Sequence, residues 1–420
     1  MSKSRQFGLS LSRIEKFDRV IREKYLDKGC IPGSIAKIWR NGELFHSCVS
    51  GSMDLERGKQ MREDAIFRIY SMTKPITAVA LLILVEDGKI DLSDEVSDHI
   101  PSWKSLGVFE AGTRGSFRTR APSRNMRVID LAAHTAGLTY PWIARTNVDA
   151  AYREVGLDSF DMPGGLDTMI NELSALPLEF SPGEAWLYSL SIDVLGYLVQ
   201  KISGLAFGEF LRRRVFEPLK MSDTAFCCPT EKIDRFTSCY ESKPDGTLKL
   251  QDDAGTSTYS ISPKLESGGG GLVSTADDYL RFARMLLNGG ALEGMQILSP
   301  KSVALFSENL LPRSCDMHQM GQSPSLFSRG GPLSALYAGI GASLGGGVTV
   351  NLVTAGLPGT VGEFGWYGAA ETAFFVDPKE DLAFVFMTQT KNMKDSAQFR
   401  RDLRTLVYSA FIDSVKSPMK

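Results

Sequence analysis

The sequence predicts an α+β fold: an antiparallel β-sheet flanked by N- and C-terminal helices, with a mainly helical segment inserted between its halves. Three observations predict it. Strand-like runs occur near both ends of the chain, at 33–51 and 371–390. An amphipathic helix precedes the first run and another follows the second. Between them, from about 91 to 264, the apolar periodicity is helical and broken by loops. One α/β domain is therefore expected from 1–90 together with 265–420, a helical domain from 91–264, and any active site at their interface.

Taken in order, Ser12 and Glu15 read as a capping box, followed by an apolar stripe of Ile14, Phe17, Ile21 and Tyr25 that closes near Gly29. "GSIAKIWRNGELFHSCVSG" reads as two strands turning at Asn41-Gly42, a strong hairpin signal. A helix is expected from Ser71 to about Gly88, with Pro75 tolerated in its first turn. Another starts at Ser191 and stops at Gly204. "SGGGGLVSTADDYLRFARMLLNGG" gives a glycine loop, an N-cap at Ser274 or Thr275, and an amphipathic helix. The Gly-, Ser- and Pro-rich stretch 318–347 reads as a long loop. Two strands around Asp377-Pro378 and a helix from about Lys394 to Ser414 complete the chain.

Composition excludes several classes of function. The 420 residues are 43% apolar, and 47 basic against 49 acidic residues leave a net charge of −2, which disfavours a polyanionic partner. No basic run is interleaved with aromatics, so no nucleic acid is expected. Six cysteines form no C-x-x-C pair, and Cys227 and Cys228 are adjacent. The start has no apolar signal core and no run reaches membrane-spanning length. A cytoplasmic protein with no membrane partner is expected. The four histidines, His46, His99, His134 and His318, make no H-x-x-x-H face, so no metal site is expected.

Two serine signatures compete. S-x-x-K occurs three times. Ser34 and Lys37 fall on a strand, where side chains three apart point to opposite faces. Ser417 and Lys420 are at the C-terminus. Only Ser71 and Lys74 fall at a helix start, where residues three apart are neighbours with Cβ atoms ~5–6 Å apart. The helix N-terminus also leaves backbone N–H groups unpaired, one of which can face a developing oxyanion. The second signature, "GASLG" at 341–345, is a literal G-x-S-x-G. An α/β-hydrolase elbow needs a later histidine, and all four histidines precede Ser343. It reads as a glycine loop. Alone, the Ser71 tetrapeptide also fits a helix cap with Lys74 reaching solvent.

The surrounding residues change that balance. "SMTKPITAVALLILVEDGKIDLSDEV" resembles the nucleophile helix of serine β-lactamase-like hydrolases and penicillin-binding proteins, in particular class C β-lactamases and the family VIII carboxylesterases that share their fold. The resemblance continues in order through "VIDLAAHTAGLTY", "FSPGEAWLYSLSIDVLGYLVQKISG", "SGGGGLVSTADDYLRFARMLLNGG" and "FGWYGAAETAFFVDP". It implies a β-lactamase/transpeptidase-like fold, Ser71 as nucleophile, Lys74 as its helical neighbour and Tyr188 as the tyrosine of a Y-x-N motif. "WYGA", from Trp366 through Tyr367 and Gly368 to Ala369, stands where β-lactamases carry K-T-G on an edge strand. The resemblance makes Ala369 the second oxyanion N–H beside that of Ser71.

Two departures matter. Leu190 replaces the asparagine of Y-x-N and Trp366 the lysine of K-T-G, so the pocket loses an amide and a cation. That favours neutral esters over anionic β-lactams, and W-x-G resembles the esterases. Tyr367 is expected to narrow the acyl pocket. No histidine is available as base, so Lys74, Tyr188 or both must take the serine proton. Lowering a lysine from ~10.4 to about 7 costs roughly 4.6 kcal/mol; a tyrosinate would need a drop of about 3 units. The sequence thus predicts an esterase acting on short- to medium-chain small-molecule esters without a cofactor, with weak β-lactam hydrolysis as a side activity. The alternatives are a β-lactamase, a D-amino-acid peptidase or amidase, an acyltransferase, and a non-catalytic ligand binder. His134 is expected to be structural, Ser189 and Ser191 to be caps, and 268–271 to be a tight loop near the pocket.

Overall fold

The computed structural model describes residues 8–157, 159–321 and 337–412. Its centre is an eight-stranded antiparallel sheet made from both ends of the chain. The strands are β1 (Gly33–Arg40), β2 (Glu43–Asp54), β3 (Lys59–Gln60), β6 (Ile340–Ala342), β7 (Gly347–Thr349), β8 (Phe364–Tyr367), β9 (Ala373–Asp377) and β10 (Leu382–Met387), in the order β6-β7-β8-β9-β10-β1-β2-β3. Ile35 lies opposite Met387, which joins the N-terminal hairpin to the C-terminal strands. Asn41 and Gly42, with φ of 50° and 82°, supply the left-handed pair that a two-residue hairpin turn requires.

Helices cover both faces of the sheet. α1 (Leu11–Ile21) and α6 (Ser396–Ser409) pack on one, where Phe17 meets Phe384 and Tyr25 meets Phe399 edge to face. The larger core lies on the other, around α2 (Thr73–Glu86), whose residues 73–84 are all buried. A helix apolar on every side belongs inside a protein, and each aliphatic side chain there contributes about 1.5–3 kcal/mol on burial. The start of α2, which carries Lys74, is thereby fixed. α5 (Ala276–Leu287) packs on the sheet, with Tyr279 donating to the Met72 carbonyl at 2.8 Å and Thr275 as its cap accepting from the Asp278 amide.

Between the two halves the regular structure is chiefly helical, including α3 (Val128–Ala132) and α4 (Ser191–Ser203), the latter ended by Gly204 at φ 72°. The segment also contains strands. β4 (Cys239–Ser242) and β5 (Leu248–Asp252) form a hairpin, and β4 pairs in parallel with β11 (Thr390–Lys391).

Local expectations differ in five places. α1 starts at Leu11, so Ser12 lies inside the helix rather than capping it; the Ser10 amide donates to Ala410 O at 2.7 Å and fixes the earlier start. Leu190, not a serine, occupies the N-cap of α4. β8 is not a sheet edge, because Gly347 and Val348 of β7 pair with its first half. The stretch 318–347 is partly regular: its described end forms the β6–β7 hairpin, in which Ser343 N donates to Gly346 O. α6 ends at Ser409, short of the expected Ser414, with Ala410 as its C-cap. Residues 322–336, Ser417 and Lys420 lie outside the described residues.

Candidate active site

Two chain segments are drawn together at Ser71. Phe67 and Arg68 pair with Ser274 and Val273, and the Ile69 amide donates to Leu272 O at 3.1 Å. The strand entering the serine is thus tied to the strand leaving the glycine loop. Ser71 follows in a 3₁₀ turn, Tyr70–Met72, that runs into α2. Tyr70 has φ 42°, a left-handed conformation that costs a non-glycine residue energy and clusters at functional sites.

Lys74 is 1% exposed. Its Nζ lies 3.1 Å from Ser71 Oγ and donates to the Gly269 carbonyl at 2.6 Å. Burial pushes its pKa down to about 7, against the opposing pull of Asp193. The side chain therefore does not reach solvent, and the amine is available in neutral form near physiological pH.

Tyr188 comes from the segment just before α4. The Leu187 amide donates to His134 O at 3.0 Å and the Ser189 amide to His134 Nδ1 at 3.2 Å, which pins the tyrosine between them. Its hydroxyl stands beside Ser71 and accepts from Trp366 Nε1 at 3.4 Å. Burial pushes its pKa up from 10, so the phenol stays protonated. The ring is packed against those of His134, Tyr140 and Trp366, with centroids 4.8, 5.4 and 5.8 Å away. His134 uses Nδ1 as an acceptor, and burial followed by the Lys74 charge depresses its pKa well below 6.5. It is a neutral structural group.

The other predicted residues divide. Ser71, Tyr188, Leu190 and Ala369 all line one cleft of about 840 Å³. Gly368 abuts the serine turn: a Cβ there would sit 2.7 Å from the Ile69 carbonyl and 2.1 Å from Thr372 Oγ1. Trp366 backs the phenol from behind, facing a small hollow it shares with Lys74, His134 and Ser343. Tyr367 is a correction. Successive side chains on a strand point to opposite faces, so Tyr367 turns away from the Trp366 side and packs under Arg400, whose guanidinium carbon is 4.6 Å from the ring centroid. It does not narrow the cleft.

Several site residues carried no sequence signal. Tyr140, Trp142, Phe160 and Tyr259 form aromatic walls of the cleft. Asp193, buried in α4, accepts from the Gly269 amide at 3.0 Å and from the Ser267 hydroxyl. Elsewhere, Asp18, His46 and Cys48 lie together on α1 and β2. Burial lowers the His46 pKa, but contacts with Asp18 and Cys48 outweigh it and raise the value to about 9. That makes an imidazolium–carboxylate pair at 2.9 Å. Among the described residues no helix is long and apolar enough to cross a membrane.

Comparison with known proteins places this geometry in context. A family model described as Beta-lactamase matches residues 17–409. Protein Rv1367c of Mycobacterium tuberculosis is 32% identical, over 86% of this chain and 87% of its own length. Esterase EstB of Burkholderia gladioli is 28% identical over 94% and 93% of the two chains. Among solved structures, EstCE1, described as a hydrolase with promiscuous acyltransferase activity, superposes with a TM-score of 0.77 at 24% identity, covering 94% of this chain and 99% of its own.

Proposed function

The chain belongs to the β-lactamase family, and from that premise we propose that it is a serine carboxylesterase, like its relative esterase EstB, cleaving short- to medium-chain esters through an acyl-enzyme on Ser71. The observation that carries the reading is the buried Lys74 amine, with a pKa of about 7, 3.1 Å from Ser71 Oγ. A phenol whose pKa is raised is a poor base and a suitable proton carrier, so the base is assigned to Lys74 and the relay to Tyr188.

In the first half-reaction Ser71 Oγ gives its proton to neutral Lys74 Nζ and forms a C–O bond to the ester carbonyl. The displaced π pair resides on the carbonyl oxygen, which accepts from the Ser71 and Ala369 amides. As the pair returns, the bond to the alcohol oxygen breaks, and the leaving oxygen takes the proton from Lys74 by way of the Tyr188 hydroxyl. Water then attacks the acyl carbon while its proton passes back to Lys74. The second collapse breaks the bond to Ser71 Oγ, which recovers that proton, and the carboxylic acid leaves.

Neutral esters are favoured because the slots for an anionic ring system hold Leu190 and Trp366, both apolar and buried. The test is a panel of p-nitrophenyl butyrate, nitrocefin and a D-alanyl amide with wild type and Ser71→Ala. Butyrate turnover that is fastest and lost in the variant supports the esterase; faster nitrocefin or amide turnover points to a β-lactamase or an amidase, and butyryl transfer to an added alcohol in preference to water to an acyltransferase. Turnover surviving Ser71→Ala refutes all four.

A further inference from the structure

Lys74 is a buried amine whose expected amide partner has been replaced by Leu190, so something else must hold it. Three residues along α4 from Leu190, one helical step on the same face, stands Asp193. Its side chain is buried, at 2% exposure. Its Oδ1 accepts from the Gly269 amide at 3.0 Å and from the Ser267 hydroxyl. The carbonyl of that same Gly269 accepts from Lys74 Nζ at 2.6 Å. Gly269 has no room to move: a Cβ on it would sit 2.5 Å from Asp193 Oδ2 and 3.0 Å from the Tyr140 hydroxyl.

Resting on the reading of Ser71 and Lys74 given above, we propose that Asp193 is the positioning residue for Lys74. It clamps the Gly269 peptide so that its carbonyl holds the amine toward Ser71, and its carboxylate provides the buried counter-charge that the Leu190 position lacks.

The groups facing this pair come from four elements. Ser71 precedes Lys74 on the nucleophile turn. Tyr188 presents its ring face, with Nζ 4.5 Å from the centroid, and Tyr140 presents its own at 5.6 Å. His134 is neutral. Arg400 acts only on the phenols and is itself paired with Glu371 at 2.8 Å. Asp193 is thus the acid that opposes the depression of Lys74 by burial, while Lys74 in turn opposes the upward push of burial on Asp193.

The sign of the effect follows. Removing the Asp193 charge while keeping an acceptor for Gly269 makes Lys74 easier to deprotonate, so the acidic limb of kcat/KM moves to lower pH. For p-nitrophenyl butyrate, Asp193→Asn is expected to shift that limb down by about one pH unit, the scale of one nearby opposite charge. KM should stay within about twofold, and Asp193→Glu should restore the limb toward wild type. A folded Asp193→Asn enzyme with its limb unmoved overturns the proposal. Should that variant not fold, Gly269→Ala tests the same contact from the other side: the added Cβ displaces the carboxylate, and an unshifted limb with unchanged kcat overturns the proposal equally. Ser71→Ala is run in parallel. If hydrolysis survives it, the nucleophile assignment fails; if hydrolysis depends on Ser71 but the limb ignores Asp193, only the present inference fails.

Discussion

The amine of Lys74 lies over the face of the Tyr188 ring, 4.5 Å from its centroid, while the hydroxyl of the same ring stands beside Ser71. Lysine and tyrosine therefore both reach the serine. The ring face favours a cation, so the proton that Lys74 gains from Ser71 is accommodated where it arrives.

Activity should follow the protonation of Lys74. The base works only when neutral, and its pKa is about 7. Below that pH kcat/KM should fall tenfold per unit, and above it level off; a profile for p-nitrophenyl butyrate between pH 5 and 9 checks this. A limb near pH 10 would mean that the amine is not depressed.

The same amine should weaken the fold. Its pKa is lowered from 10.5 to about 7 by burial, so between those values the unfolded chain binds more protons and stability rises with pH. Below pH 7 the deficit is complete. Lys74→Met should be inactive yet more stable at pH 7, by on the order of a few kcal/mol. The difference in Tm from wild type should shrink as the pH approaches 10, as measured by thermal melts at both pH values.

Tyr188→Phe keeps the ring packing but removes the hydroxyl that stands beside Ser71 and accepts from Trp366. We expect kcat to fall by ~10²–10⁴-fold, the usual worth of a positioned proton carrier, with little change in Tm. Unchanged kcat would exclude the phenol from the relay.

Gly368→Ala tests the approach of β8 to the serine turn. Its Cβ would press 2.7 Å from the Ile69 carbonyl, so the turn must shift. A loss of about 1–3 kcal/mol in stability and a drop in kcat that exceeds any change in KM are expected.

Trp142, 43% exposed and stacked on Tyr140 with centroids 5.2 Å apart, forms part of the cleft wall. Trp142→Ala should raise KM for naphthyl esters about tenfold, equivalent to ~1.4 kcal/mol of aromatic contact, and leave acetate esters unaffected. Equal changes for both would place the wall outside the substrate path.

Much of this arrangement was legible in the sequence, for physical reasons. The Asn41-Gly42 turn, the Gly204 stop and the uninterrupted apolar run after Ser71 are local signals, and each appears where expected. The serine and lysine share one helical turn, so their meeting is also a local matter. The orientation of Tyr367 depends on which strand face the core occupies, and a run buried on both faces does not reveal that. Asp193 was missed because its partners, Ser267 and Gly269, lie more than seventy residues away along the chain. The aromatic walls around Tyr140 and Tyr259 likewise come from separate loops.

The claim on which the account turns is that Ser71 is acylated. Mass spectrometry of the protein after treatment with a fluorophosphonate measures this directly. The account predicts a single adduct, mapped to the peptide containing Ser71, formed faster as the pH rises through 7 and absent from Ser71→Ala. An unmodified Ser71 peptide, or an adduct that persists in the variant, would contradict it.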